Sequence, residues 1–336
     1  MQRILVVAPS WVGDCVMAQP LLARLHARNP GAVIDVLAPP FTAALFRRMP
    51  EVAGVIDNPF AHGELRLGER YRLGRRLARA GYRQAVLLPN TLKSALAPFF
   101  ARIPRRTGFV GEGRYGLLND ARRLDKARYP LMVERFALLA ERPGAELERP
   151  VPEPRLTVGA AARQATLARL ELDAAGQVAV FCPGAEYGPA KRWPAVHFAA
   201  LGRRLAAQGY RLWLVGSAKD APVAREIAAA CDAVDLTGRT GLDEAIDVLS
   251  LAALVISNDS GLMHVAAALD RPMVAIFGSS SPGFTPPLSR RARVATLNLT
   301  CSPCFQRECP LGHLACLRDL TPEHLAAEIG RLEISA

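Results

Sequence analysis

Leu254–Gly278 reads LVISNDSGLMHVAAALDRPMVAIFG. An apolar run rich in β-branched residues ends in Asn258-Asp259-Ser260-Gly261. A helical pattern follows at once, then a second apolar run, Met273 to Phe277. Such a change of period means strand, tight polar turn, helix, strand. The turn brings a carboxylate, a hydroxyl, a glycine and, one helical turn on, His264 to the carboxyl end of a strand and the N-terminus of a helix. Ligands of open α/β sheets sit there, and helix N-termini favour anions. Asp259, Ser260, Gly261 and His264 therefore form a candidate site for a phosphate-bearing ligand. The plainer alternative is that Asp and Ser cap a helix, Gly makes a turn and His264 packs in a core.

Working outward, the same scheme recurs. Strands are expected at Ile4–Ala8, Ile34–Ala38, Val55–Asp57 and Gln84–Leu88, and again at Val178–Cys182, Arg211–Gly216, Ala233–Leu236, Leu254–Ser257 and Met273–Phe277. Helices alternate with them: Asp14–Asn29 (despite Pro20), Phe41–Met49, Gly68–Ala80, Thr91–Ala101, Ala195–Ala207, Ala221–Ala230, Leu242–Leu251 and Gly261–Leu269. Strands separated by helices mean parallel sheets with right-handed crossovers. PGAELERPVPEP, Pro143–Pro154, carries four prolines and marks a linker. The expected architecture is α/β, with two Rossmann-like domains facing across a cleft. Residues 1–150 form the first domain, 151–320 the second and 321–336 a C-terminal helix capped by Thr321 with Pro322 at its first position.

At 336 residues, half of them apolar, the chain is long enough for two cores and too apolar for a disordered protein. Its apolar runs fall short of the ~20 residues that span a bilayer. MQRILVVAPSWVGD lacks a long apolar segment and a small-residue cleavage site, so a cytoplasmic protein is expected. Seven cysteines there argue for free thiols or a metal rather than disulfides. Residues 1–150 carry 24 Lys+Arg against 13 Asp+Glu, while 151–336 carry 18 of each. The excess charge points the first half at an anionic surface or a phosphorylated lipid or sugar. Few aromatics and no nucleic-acid module argue against nucleic acid.

Two more turns complete the chemistry. Pro9-Ser10-Trp11-Val12-Gly13-Asp14 follows the first strand and sets Asp14 at a helix mouth, as an N-cap or as a base for an acceptor hydroxyl. It is not GxGxxG, so a dinucleotide fingerprint is absent. Pro183–Pro194, PGAEYGPAKRWP, follows Val178–Cys182 and ends in Lys191 and Arg192, which can neutralise a diphosphate.

PSWVGD, PGAEYGPAKRWP and NDSGLMHVAAALDRPMVAIFG, in this order, resemble the ADP-heptose:lipopolysaccharide heptosyltransferases, glycosyltransferase family 9, along essentially the whole chain. Gly184–Trp193 is most like members that add the second heptose of the inner core. The alternatives are a member acting on Kdo-lipid A, another nucleotide-sugar enzyme of the same fold such as a 2-epimerase, or a non-enzymatic binding protein. The resemblance implies a GT-B fold and inversion at the anomeric carbon, without cofactor or catalytic metal. It also implies that ADP-heptose binds the second domain and heptosyl-Kdo-lipid A the first, at the cytoplasmic leaflet of the inner membrane. It makes Asp14 the general base and Lys191 the diphosphate ligand. Asp259, Ser260, Gly261 and His264 then surround the donor. Glu186 and Tyr187 stand where related enzymes carry hydroxyl residues. Asp220, after a strand, is a candidate for the ribose hydroxyls and Leu242 for the adenine. Cys301-x2-Cys304-x4-Cys309-x6-Cys316, with His313 inside, has enough ligands for a structural zinc. Its spacing fits no usual finger or ribbon, and packed thiols are the plainer reading.

Overall fold

The computed structural model describes residues 2–61 and 63–332. The chain divides at Pro154–Arg155 into two compact units. In the first, β1 (Arg3–Val7), β2 (Val33–Ala38), β3 (Gly54–Asp57), β4 (Gln84–Leu87), β5 (Arg105–Phe109) and β6 (Asp120–Arg122) form one parallel sheet in the order β3-β2-β1-β4-β5-β6. Its helices are α1 (Val12–Met17), α2 (Gln19–Arg28), α3 (Ala43–Arg47), α4 (Leu67–Leu77), α5 (Leu92–Phe100) and α6 (Met132–Leu138). The second holds α7 (Ala160–Leu170), β7 (Val178–Cys182), α8 (Ala195–Ala207), β8 (Arg211–Leu214), α9 (Ala221–Ala230), β9 (Ala233–Asp235), α10 (Leu242–Ser250) and β10 (Leu254–Asn258). These are followed by α11 (Gly261–Ala268), β11 (Met273–Ile276), β12 (Ala292–Ala295), α12 (Ala315–Arg318) and α13 (Pro322–Ile329). Its parallel sheet runs β12-β11-β10-β7-β8-β9.

Both sheets are doubly wound. Strand order reverses between β1 and β4 in one and between β7 and β10 in the other, and the reversal opens a crevice at the strands' carboxyl ends. Register places Val6 between Val36 and Val86, and Ile256 between Val274 and Phe181. Every residue of β7, β10 and β11 is buried, as expected of parallel strands covered by helices on both faces. In the second unit Phe181, Trp193, Phe198, Leu201, Leu214 and Ile256 meet in one core, with Trp193 edge-on to Phe198 at 4.9 Å.

Several expectations need correcting. The first helix is two: it breaks at Ala18, and Pro20 sits at the start of α2, where its missing N–H costs nothing. The proline-rich stretch before Pro154 is tied down rather than free. Arg24 pairs with Glu141 at 2.8 Å and donates to the carbonyls of Glu148 and Pro150, anchoring that stretch on α2. The C-terminal helix packs on α8, β11 and β12 within the second unit. Thr321 caps it as expected, paired with His324 in a capping box; residues 333–336 lie outside the described residues. No helix among the described residues is long and apolar enough to cross a membrane.

α4 and α5 pack closely across Gly74. A Cβ there would lie 2.5 Å from Phe100 Cβ and 2.9 Å from the Ala97 carbonyl. Gly74→Ala should destabilise the protein by about 1–3 kcal/mol, since backbone must move. Its chemical-denaturation midpoint checks this; an unchanged midpoint would show that the two helices separate freely.

Candidate functional site

The second unit gathers its chemistry where strand order reverses. β10 ends in Asn258, which is fully buried. Asn258 Nδ2 donates to the Pro183 carbonyl at 2.6 Å, and the Trp193 amide donates to Asn258 Oδ1 at 3.1 Å. One side chain thus ties both ends of the Pro183–Pro194 loop to the end of β10. The next residue, Asp259, continues the ladder through its amide to Ile276. Its carboxylate, 5% exposed, accepts from Lys191 Nζ at 2.5 Å and from Ser280 Oγ.

Lys191 is therefore a held cation. It has three N–H donors, of which one is used on Asp259. Its Nζ also lies 5.1 Å from the centre of the Tyr187 ring. Tyr187 is fixed by its hydroxyl, which donates to the Phe305 carbonyl at 2.7 Å, and Arg307 lies 5.5 Å from its ring centre. Glu186 points outward and pairs with Lys219 at 2.6 Å, joining this loop to the turn after β8. Ser260 is the N-cap residue of α11 but makes no side-chain cap bond; its hydroxyl meets Ser257 Oγ at 3.4 Å. The first amides of α11, beginning at Gly261, are thus open to an anion.

His264 is 5% exposed, on the first turn of α11. Burial pushes its imidazolium down to about 4, and Lys191 acts in the same direction against Asp259. The ring is neutral at physiological pH, so it offers hydrogen bonds rather than charge.

Asp220 is buried and engaged in its own turn. Its Oδ2 accepts from the Ser217 amide at 2.9 Å and from the Ser217 hydroxyl at 2.8 Å. The carboxylate also closes on Gly184, where a Cβ would lie 2.4 Å away, so only glycine lets the two loops meet. Leu242 is half-buried at the start of α10.

In the first unit, Asp14 lies in the first turn of α1, beyond the carboxyl end of β1. The carboxylate accepts no hydrogen bond among the described residues. Burial pushes its acid form up to about 6. A capping role would have given it an amide partner; instead it is a desolvated carboxylate whose acid form is raised by burial.

A family model described as glycosyltransferase family 9 (heptosyltransferase) matches residues 70–315. The chain belongs to glycosyltransferase family 9. The lipopolysaccharide heptosyltransferase 2 of Salmonella typhimurium is 47% identical over 98% of both chains. The lipopolysaccharide heptosyltransferase 1 of Pseudomonas aeruginosa is 28% identical over 91% of this chain and 87% of its own. A solved structure of the E. coli ADP-heptose lipopolysaccharide heptosyltransferase II is 45% identical, covers 98% of this chain and 99% of that one, and superposes with a TM-score of 0.88. The fold is accordingly of the GT-B class, and the chain is a glycosyltransferase.

Three contributors escaped the sequence reading. In the sequence Asn258 reads only as part of a turn. Ser280 binds Asp259 from the run Ser279-Ser280-Ser281 after β11; hydroxyls at a parallel strand's carboxyl end were the available signal. Arg114, one cation of the basic first half, is 1% exposed. It donates to the carbonyls of Pro89 and Phe109 and to Ser94 Oγ, holding the loop after β4.

Asp14 should cost stability. Its acid form is raised from 3.8 to about 6. The folded state therefore binds a proton more tightly than the unfolded one, and its contribution is present below pH 4 and lost as pH rises through 6. At about 1.4 kcal/mol per pKa unit, the penalty above pH 6 is at most about 3 kcal/mol. Asp14→Asn should raise the denaturation midpoint at pH 8 and leave it unchanged near pH 3.5. An equal shift at both values would show that the carboxylate is not desolvated.

Proposed function

We propose that this chain transfers L-glycero-D-manno-heptose from ADP-heptose to the first heptose of the lipopolysaccharide inner core, with inversion. The observation that carries the reading is the held Lys191 at the reversal of strand order, beside the open N-terminus of α11, in a chain similar over its whole length to a heptosyltransferase 2. The diphosphate takes the two free N–H donors of Lys191 and the first amides of α11. Neutral His264 and Gly261 flank the sugar-phosphate without adding charge. Tyr187 and Glu186 wall the site, Leu242 offers an apolar surface to adenine, and Asp220 Oδ1 accepts from the ribose.

The reaction is one displacement. The 3-hydroxyl oxygen of the acceptor heptose forms a bond to C1 of the donor as the C1–O bond to the β-phosphate breaks. Asp14 takes the hydroxyl proton, and ADP departs with its charge met by Lys191 and α11. A base that ionises near 6 is mostly ionised at neutral pH yet basic enough to accept a proton in the transition state. Such a group contributes about 10²–10⁴-fold. The acceptor belongs to the first unit, whose positive charge suits a phosphorylated, Kdo-bearing lipid, and the protein works on the cytoplasmic leaflet. Arg75 on α4, Arg102 just after α5 and Arg106 on β5 line one pocket with Tyr71 and Phe99, a basic and aromatic face suited to anionic headgroups.

The decisive assay offers ADP-heptose with an acceptor ending in one heptose and, separately, with Kdo-lipid A. Transfer only to the first is expected. Transfer only to the second makes the chain the enzyme of the preceding step, and transfer to neither, with ADP bound, sinks the substrate assignment. Asp14→Asn should lower kcat about 10²–10⁴-fold while leaving the Kd for ADP unchanged; a non-enzymatic binding protein would be indifferent.

Membrane contact is tested by sedimentation with vesicles containing anionic lipid. Each basic residue near such a surface is worth about 1 kcal/mol, so Arg75→Glu with Arg102→Glu should weaken binding at least tenfold at low salt. Unchanged binding would move the contact elsewhere.

A further inference from the structure

Cys301, Cys304, Cys309 and Cys316 all line one cavity of about 20 Å³, beneath Ala190 and Ser279. None is in a disulfide. We propose that these four thiols bind a single structural zinc ion, which fixes the segment that backs the Lys191 loop. The proposal does not depend on the reaction assigned above.

Four observations carry it. First, the four sulfurs are drawn from a stretch of 16 residues with almost no regular structure; between β12 and α12 there is neither strand nor helix. Such a segment has little packing of its own: Phe305 and Leu311 are 51% and 61% exposed. A long irregular segment in a compact unit needs another source of order, and a metal supplies it in zinc-bound modules. Second, the cavity has room for about one small ion or water, and its other lining is largely apolar. Third, the backbone amides of Leu311, Gly312, His313 and Leu314 turn toward Cys309 Sγ. Amides donating to a sulfur are the outer shell that a bound thiolate requires. Fourth, the segment is joined to the site. The Ala190 amide donates to the Arg307 carbonyl at 3.1 Å, Tyr187 donates to Phe305, and the Phe305 amide donates to Ser279 at 2.6 Å.

His313 lines the same cavity but is not the fourth ligand. Its Nδ1 accepts from the Ala315 amide at 2.9 Å, which puts the proton of the neutral ring on Nε2 and leaves no free lone pair for a metal. The donor set is therefore four sulfurs, the choice of zinc over hard cations. Among the described residues no three such side chains already stand at metal-holding geometry. The four cysteines line one cavity, and the proposal requires that binding bring their sulfurs to one point. Four thiols become thiolates, their protons pass to solvent, and Zn²⁺ accepts four S–Zn bonds with no change of oxidation state.

Metal analysis of the full chain, purified without chelator, should find one zinc per chain, released to a chromogenic dye when an organomercurial blocks the thiols. Cys304→Ser and Cys316→Ser should each lose the zinc and lower Tm by about 5 °C or more, while His313→Asn keeps both zinc and Tm. Should the cysteine variants fail to fold, the count on the unaltered chain decides. Zinc below about a tenth per chain, with all four thiols reacting freely or paired as disulfides, overturns the proposal. So does stoichiometric zinc in the Cys304→Ser, Cys316→Ser double variant, or its loss from His313→Asn.

Discussion

The second unit depends on one buried amide. Asn258 needs a donor to reach the Pro183 carbonyl and an acceptor to receive the Trp193 amide, and it has one of each. Asp could not donate and Leu could do neither, so either would leave buried backbone groups unpaired. With both ends of the loop fixed to β10, its middle has little freedom, and Lys191 arrives over Asp259, the residue following Asn258. Trp193 locks the far end further: its indole donates to the Leu320 carbonyl while its ring packs against Phe198. The position of one cation is thus set by the carboxyl end of a central strand, an amide and a core aromatic.

The Lys191–Asp259 pair has a second consequence. An ion pair this little exposed gains in Coulomb energy but forfeits hydration, so its net stabilisation is small. Its value is in holding an ammonium in place before any diphosphate arrives, since a lysine left free would lose the rotamer entropy of a long side chain on binding. Ser280 supports this by donating to the same carboxylate oxygen as Lys191.

Much of the fold was legible because apolar period and breakers agreed. Ala195–Ala207 and Ala221–Ala230 fell where the pattern put them, and the Leu254–Gly278 stretch differed only by a residue at element ends. The misses share a cause. β5 is RRTGF and β12 is ARVA, short strands whose composition shows neither alternation nor an apolar run; their neighbours in the sheet, not their own residues, make them strands. α7 is rich in alanine with only two buried residues, so its amphipathic signal is weak. In the site, the turn residues were readable as residues. The pairing of Lys191 with Asp259 was not, because 68 positions separate them and only the sheet's crossover brings them together.

Charge is the place where sequence and structure most need each other. The excess of cations in the first half reads as a surface property, yet three of its arginines lie inside. Arg114 serves the loop after β4, and Arg24 is half of a buried pair. Arg70 gives its donors to the carbonyls of Leu65, Glu64 and Lys93 while stacking 3.9 Å from the centre of the Phe60 ring. Those guanidiniums act as cross-links between backbone carbonyls of different segments, a task for which five fixed donors are well suited. Arg72, Arg75, Arg76 and Arg79, along the exposed side of α4 and the turn after it, remain in water. An anionic partner meets that narrower stripe, so its attraction should follow the local charge on α4 rather than the net charge of the chain.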